Sequence, residues 1–478
     1  MTQSIVVQVG QCGNQIGAQF WQRALEEHAA INSQGTFDEA MNTFFENVDT
    51  SVHPPRRLPV GQGEQPIATL RARAVLVDME EGVVNGLQRG PLGELFDRAH
   101  CVTSVSGSGN NWAVGYHQYG AQYGADIEQA VRRAAEACDC LQSFLLLHSM
   151  GGGTGSGLGT WLVEMLHDAF PDVYRFVVPV YPSEVSLTVL ASWRRDDDVI
   201  TSPYNCSFAT HQLKEFADCV LPVENQALAD IVANIDTMSK GKLKAKSEVD
   251  GSGSVGENKR PWRRMNSIVA KMLLDMTSGS RFPGSVNVDV NELTMNLVPF
   301  PKMHFVTSSL SPLYDLADVH VPPRRLDQMF TDAFDRSFQL LRSDPRRGLF
   351  SACTLMLRGD VEMSDVRRNV DRMKQQLRFA DWNPDGWKIG MCRQASVRQS
   401  RSLLCLANNT CIRNSFVAVR DRFLKLYRKR AFKHHFTSEG MDQGHFDVAL
   451  NSLNELAAQY ANLEAETPLA SVTRPQLL

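Results

Sequence analysis

The chain has 478 residues, 43% apolar and 21% charged, with a net charge of −4 at neutral pH. That length allows two or three domains around a large core, and the balance of residue types is that of a globular protein rather than a disordered or fibrous one. Lys and Arg are spread along the chain, which speaks against nucleic acid as a partner, and no run approaches the ~20 apolar residues of a membrane-spanning helix. The ten cysteines are scattered without zinc-binding spacing, and no HExxH occurs among the twelve histidines. No Lys or Arg precedes Arg23, and the opening apolar run is too short for a signal peptide. A cytosolic, reducing setting with free thiols is therefore expected.

The first predicted strand, residues 5–9, runs into Gly10-Gln11-Cys12-Gly13-Asn14-Gln15-Ile16-Gly17. A second, 74–77, is followed by Asp78-Met79-Glu80. A third, 144–147, leads into Ser149-Met150-Gly151-Gly152-Gly153-Thr154-Gly155-Ser156-Gly157. Beyond that loop Leu158, Trp161, Leu162, Met165 and Leu166 share one helical face, and a fourth strand is predicted at 176–181. Strands alternating with helices imply an α/β domain with a mostly parallel sheet, whose ligands sit beyond the carboxyl ends of the strands.

The glycine-rich loop between strand and helix suits a phosphate. Glycines let the backbone turn tightly and approach a ligand, and the loop N–H groups and helix N-terminus then face the anion. The Lys-Ser/Thr of a Walker loop is missing, and the first strand is not followed by Gly-x-Gly-x-x-Gly. No GxSxG elbow supports serine-hydrolase chemistry.

Two helices follow. Leu228, Ile231, Val232 and Ile235 share a face in the first, and Met265, Ile268, Val269, Met272, Leu273 and Met276 repeat at helical spacing in the second. Residues 239–259 between them are rich in Gly, Ser and Lys and read as a surface loop. From 282 to 407 the pattern is mixed, with strands at 303–307 and 352–357, as in an α+β domain. Two long helices, 412–432 and 446–464, close the chain. The first carries Arg420, Arg422, Lys425, Arg428, Lys429 and Arg430, a pattern that by default is a solvated face.

Several of these motifs, in order, resemble the tubulins. To the Gln11, Asp78 and Gly151–Gly157 segments are added Ser106-Gly107-Ser108-Gly109-Asn110-Asn111-Trp112-Ala113, Ser202-Pro203-Tyr204-Asn205, Asn296-Leu297-Val298-Pro299-Phe300-Pro301 and Glu439-Gly440-Met441-Asp442. Within the family, Met1-Thr2-Gln3-Ser4, Asp78-Met79-Glu80-Glu81-Gly82-Val83-Val84-Asn85, Val321-Pro322-Pro323-Arg324-Arg325-Leu326-Asp327 and Leu406-Ala407-Asn408-Asn409-Thr410-Cys411 resemble the ε class. The resemblance implies a tubulin/FtsZ-like GTPase domain over 1–226. It also implies a core helix and intermediate α+β domain over 227–407, a C-terminal helical hairpin over 408–464 and a short non-acidic tail over 465–478.

It also implies a GTP site with Mg²⁺. Gln11 and Cys12 match the loop that reaches the phosphates; Ser149, Gly152, Gly153, Thr154 and Gly155 match the backbone cradle; Asn110 matches the loop beside the γ-phosphate. Glu80 matches the acid that holds Mg²⁺ through water, in keeping with a hard cation that retains part of its hydration shell. Asn225 and Asn266 match the asparagines that read the guanine edge, and Trp262 the ring stacked on the base. In the family the active site is shared: the helix following Asn287-Val288-Asp289-Val290-Asn291-Glu292 touches the nucleotide of the next subunit. Glu292 matches the catalytic glutamate of α-type chains, and Asp289 lies three residues before it on the same side.

Four departures qualify the resemblance. The 181–204 loop is longer than in α- and β-tubulin, with 184–193 extra; the 239–259 loop is longer; the lateral-contact loop, 311–320, is short; and the tail lacks a glutamate-rich run. The resemblance therefore implies a specialised tubulin of centrioles or basal bodies, cytoplasmic and cytoskeletal, that supports doublet and triplet microtubules. Its partners would be other tubulins, δ-tubulin first, with αβ-tubulin or a second copy as further candidates. The alternative is a GTP-locked cap or adaptor that neither hydrolyses GTP nor polymerises.

Overall fold

The computed structural model describes residues 2–32, 34–60, 65–183, 199–243, 261–282, 284, 286–314 and 324–466. The chain opens with β1 (Gln3–Val9), which passes directly into α1 (Gly10–Ile31). A short helix, α2 (Glu39–Asn42), leads to β2 (Phe45–Asp49), β3 (Arg56–Leu58) and β4 (Thr69–Ala72), a small antiparallel sheet in the order β3-β2-β4. The sequence reading did not find this sheet. Its strands are three to five residues long and β3 is Arg56-Arg57-Leu58, so no apolar run marks them.

The rest of the first domain comprises β5 (Ala74–Asp78), α3 (Glu81–Arg89), β6 (Cys101–Thr103), α4 (Gly120–Glu136) and β7 (Leu141–Ser149). It continues through α5 (Gly159–Ala169), β8 (Tyr174–Tyr181), α6 (Ser202–Phe216), β9 (Cys219–Val220) and β10 (Val223–Glu224). All the strand pairs are parallel, in the order β10-β8-β7-β1-β5-β6 with β9 also beside β8. Both faces are covered. Ile5, Val7, Val75, Val77, Phe144 and Leu146 enter one core, and Val6, Leu76, Leu145 and Leu147 enter the other. This is why the strands read as continuous apolar runs rather than alternating ones.

Next come α7 (Asn225–Leu243), α8 (Pro261–Met276) and the single turn α9 (Ser278–Arg281). The expected 239–259 loop therefore begins later, because α7 runs on to Leu243; residues 244–260 lie outside the described residues. α8 packs along α1 and α7, and its stripe Met265, Ile268, Val269, Met272, Leu273 and Met276 is core, as the spacing indicates.

The second domain holds α10 (Val290–Leu297), β11 (Thr307–Ser311), α11 (Leu326–Ala333), β12 (Phe350–Gly359), α12 (Met363–Lys374), β13 (Trp387–Cys392) and β14 (Arg401–Asn409). Its sheet, β11-β14-β12-β13, is antiparallel except for the β12–β13 pair. The strand expected at 303–307 is displaced: β11 starts at Thr307, and His304–Val306 instead brackets Val220 of β9 with two backbone hydrogen bonds of 2.9 and 2.8 Å. Phe305 and Val306 are buried where this segment joins the two sheets.

Last are α13 (Arg413–Tyr427), the turn α14 (His434–Thr437) and α15 (Gln443–Glu466). α13 and α15 form the expected hairpin and pack on α6, where Phe423, Phe436 and Phe446 surround Tyr204. All ten cysteines are free thiols. The 184–193 segment, residues 315–320 of the lateral loop and the tail from 467 lie outside the described residues.

Candidate functional site

The sheet order creates a crevice. From β1 the chain proceeds to β5 and β6 on one side and to β7, β8 and β10 on the other, so the topology reverses between β1 and β7. Loops on either side of such a switch point diverge and leave room for a ligand beyond the strand ends. The Gln11 loop and the Ser149–Gly155 loop leave those two strands.

The loops are held close. Gly10 has φ +70°, and a Cβ on it would lie 3.3 Å from the Gly155 nitrogen. A Cβ on Gly153 would lie 2.6 Å from the Asn111 nitrogen, so that position admits only glycine. The loop enters α5 through a π-helical turn, Thr154–Leu158, preceded by Gly153 rather than by a capping side chain. Wide turns of this kind are enriched at functional sites. Ser108 Oγ and Thr154 Oγ1 are 3.1 Å apart, which joins the Asn110 loop to the cradle. Gly109 and Asn110 both have φ +57°, a conformation that asparagine tolerates better than most residues. Gln11, Glu80 and Asn110 are exposed at the crevice, and Ser149, Gly152 and Thr154 are half-buried.

One clamp was not foreseen as a site residue. Asn205 on α6 is fully buried. Its Nδ2 donates to Asn110 O at 2.9 Å and to Gly151 O at 2.8 Å, and its Oδ1 accepts from Trp112 N at 3.0 Å. One amide thus fixes the spacing of the Asn110 and Gly151 loops. The signal for it was the Ser202-Pro203-Tyr204-Asn205 motif.

The electrostatics point to a cation. Asp78 ends β5 and is buried. Its Oδ1 accepts from Glu80 N at 3.3 Å, while its Oδ2 has no hydrogen-bond partner. Burial pushes its pKa up to about 6; the backbone N–H of Glu80 works against this, and the Glu80 charge adds to it. A buried carboxylate oxygen without a donor is costly unless a positive group comes to it. Asp78 therefore joins Glu80, two residues on, as a candidate Mg²⁺ holder. Among the described residues no group of three or more His, Cys, Asp or Glu could hold a metal. Mg²⁺ on a nucleotide needs only one or two carboxylates, since water and phosphate complete its shell.

The residues expected to read the base stand on other elements. Asn225 opens α7 directly after β10, at the same edge of the sheet. Trp262 and Asn266 lie in the first two turns of α8, with Trp262 exposed and Asn266 half-buried. Arg264 of α8 pairs with Asp236 of α7, which ties those helices together.

Glu292 and Asp289 belong to α10. Asp289 is its N-cap: Oδ1 accepts from Glu292 N at 2.9 Å, and Oδ2 accepts from Gln142 Nε2 at 3.0 Å. Both carboxylate oxygens are thus committed to structure. Glu292 is half-exposed and lies 3.2 Å from Lys388 Nζ. Met295 on the same helix is 76% exposed, and the exposed rings of Phe300 and Trp382 meet edge to face at 5.4 Å.

Comparison with known proteins decides the family. The model of the Tubulin/FtsZ family GTPase domain matches residues 3–233, and that of the tubulin C-terminal domain matches 301–421. The chain belongs to the tubulin family. It is 52% identical to the tubulin epsilon chain of Homo sapiens and 51% identical to that of Mus musculus, over all of this chain and 99% of each relative. It is 33% identical to a tubulin beta chain of Porphyra purpurea, over 98% of this chain and 94% of that one. The α/β fold with its parallel GTPase sheet is that of the family. Among the described residues no helix is long and apolar enough to cross a membrane.

Proposed function

We propose that this chain is a specialised guanine-nucleotide-binding tubulin of centrioles and basal bodies. It would support doublet and triplet microtubules, with δ-tubulin as its neighbour and GTP hydrolysis completed between subunits. The observation that carries the nucleotide reading is the crevice itself. Two glycine loops approach each other at a switch point, and a buried carboxylate with one oxygen unpartnered, Asp78, lies at the same edge. The ε-class reading rests on full-length similarity to chains named tubulin epsilon chain.

The residues divide the work. The backbone of Gly152–Gly155 and the loop of Gln11 and Cys12 would hold the phosphates, with Asn110 beside the terminal one. Asp78 and Glu80 would hold Mg²⁺, and Asn225, Asn266 and Trp262 would read and stack the guanine. When bound, Mg²⁺ supplies positive charge against the charge that develops on the transferred phosphoryl group. Glu292 would act in the neighbour's site, orienting the attacking water, while Asp289 keeps the helix that presents it in place.

A second reading has one observation in its favour. The Glu292 carboxylate is paired with Lys388 of its own chain. That ion pair would have to open before the carboxylate could reach a neighbour's nucleotide. A nucleotide-locked cap or adaptor that binds GTP without turning it over is consistent with that pairing.

The test is the nucleotide released on denaturing the purified protein. About one guanine nucleotide per chain is expected; finding none would overturn the site. Extracted GTP that becomes GDP only when the neighbouring subunit is mixed in, and not when Glu292→Gln is used as the donor of the acid, supports shared hydrolysis. Unchanged GTP under every pairing favours the cap. A tagged chain spread evenly along cytoplasmic microtubules, rather than gathered at basal bodies, would remove the centriolar part of the reading.

A further inference from the structure

The nucleotide crevice does not account for the basic run on α13. At the start of that helix, against the ends of β8 and β10, is a pocket of about 260 Å³ lined by Arg336, Arg342, Arg422, Tyr181 and Glu224. Arg342 is engaged there: its backbone N–H donates to Glu224 Oε2 at 3.0 Å, and its guanidinium lies 3.8 Å from Asp230. Arg422 donates only from Nε, to Ala418 O at 3.3 Å, and Arg336 is exposed. Neither has a carboxylate at ion-pair distance among the described residues. The pocket thus concentrates three guanidiniums around one glutamate.

The charge continues along the helix. Ala418, Val419 and Arg422 face the pocket, and Lys425 follows at the same spacing. The chain then turns at Arg430, which has φ +53°, and leaves Arg428, Lys429 and Arg430 exposed. The neighbouring acids are already paired. Asp421 takes Arg420 at 2.8 Å, Glu439 takes Gln118, and Asp447 takes Tyr427 at 2.5 Å.

We infer that this pocket and the stripe leading from it form a docking groove for an extended acidic peptide, one of whose carboxylates enters between Arg336 and Arg422. Guanidiniums receive carboxylates through two parallel hydrogen bonds, which gives the pocket its specificity; the lysines add sequence-tolerant attraction. From Arg422 to the end of α13 at Tyr427 is about 8 Å of helix, and Arg428 and Lys429 continue the charge into the following turn, so with the pocket the groove spans about five residues of extended chain. Nucleic acid fits less well, because the rings here face inward: Tyr427 stacks with Phe446, and Phe432 with His435. A lipid surface fits less well because no large exposed apolar side chain lies on α13.

The experiment uses the full chain and a fluorescein-labelled ten-residue polyglutamate, read by anisotropy, with polyglutamine of the same length as the control. Saturable binding is expected that weakens as salt rises. Arg336→Glu with Arg422→Glu should weaken it by about tenfold or more, and Lys425→Glu with Lys429→Glu by about threefold. The lysine pair is on the surface, so it tests the groove even if the arginine pair disturbs folding; an unchanged thermal melt verifies each variant. No binding, or equal binding by the variants, overturns the inference. So does tighter, equally Arg422-dependent binding of an RNA oligomer or of phosphatidylserine vesicles.

Discussion

Two regions of this chain bury carboxylates and treat them in opposite ways. Where α1, α8 and β12 meet, Glu27 is sealed from water but lies 2.8 Å from Arg358 and 2.7 Å from Arg281. Arg358 also reaches Asp275 at 2.9 Å. Burial alone would push the Glu27 pKa up, but the guanidiniums of Arg281 and Arg358 outweigh it and hold it at about 2. At the strand ends, Asp78 is nearly as buried, has no cation beside it among the described residues, and is held at about 6. The first carboxylate is satisfied by the fold and joins its two domains. The second keeps one oxygen without a partner. A buried charge paired internally is architecture, and one left unpaired at a crevice is a site.

The largest effect should come from breaking the internal pairing. Arg358→Ala takes from Asp275 its cation and leaves Glu27 with Arg281 alone, and should destabilise the protein by about 3–5 kcal/mol, read as a lower denaturation midpoint. Replacing Glu27, Asp275, Arg281 and Arg358 together with apolar residues of similar volume should cost less than the single change. If it costs more, the charges contribute beyond mutual compensation.

Asp78→Asn should act with the opposite sign. Without Mg²⁺ it removes an uncompensated charge and should stabilise the protein at neutral pH by about 2 kcal/mol. The same variant should lose the rise in melting temperature that Mg²⁺ and GTP give the parent. A variant that is less stable without metal and still responds to Mg²⁺ would break the contrast.

The pH dependence sharpens it further. Glu27 has a lowered folded pKa, so its stabilisation is complete above about 4.5 and is lost as pH falls toward 2. Asp78 has a raised folded pKa, so its protonated form favours the fold at low pH, and that stabilisation fades as pH rises through about 6. Mg²⁺ binding should follow the ionised form of Asp78 and be about tenfold weaker at pH 5 than at pH 7, as measured by titration. The smallest effect is local. Asp289→Ala removes the cap of α10 and should cost about 1 kcal/mol, with a larger proportional loss in assembly than in melting temperature if α10 is the docking helix.

Much of the fold was legible because its signals are local. The strands of the parallel sheet are buried on both faces and appear as apolar runs; the helices repeat at their own period; and the glycines of the 151–157 loop announce a turn that no other residue makes. Family resemblance then supplied roles for Gln11, Asn110, Asn225 and Glu292 that spacing alone does not contain. The short strands β2 to β4 were invisible because they carry too few apolar residues to form a pattern. The expected strand at 303–307 was shifted because its apolar residues serve a bridge between sheets rather than a ladder within one.

The sequence by itself determined the order of the elements, the phosphate-holding character of two loops and the absence of Walker and Rossmann chemistry, because each depends on residues adjacent in the chain. Only the tertiary structure decided which charges are compensated. Glu27 and Arg358 are far in sequence from each other and from Asp275 and Arg281, and the four meet only when α1, α8, α9 and β12 pack. Asp78 and Glu80 are neighbours that look alike in the chain, yet one is buried with an unpartnered oxygen and the other is exposed. Burial and donor supply are properties of the assembled fold, and they are what separates a structural acid from one that awaits a ligand.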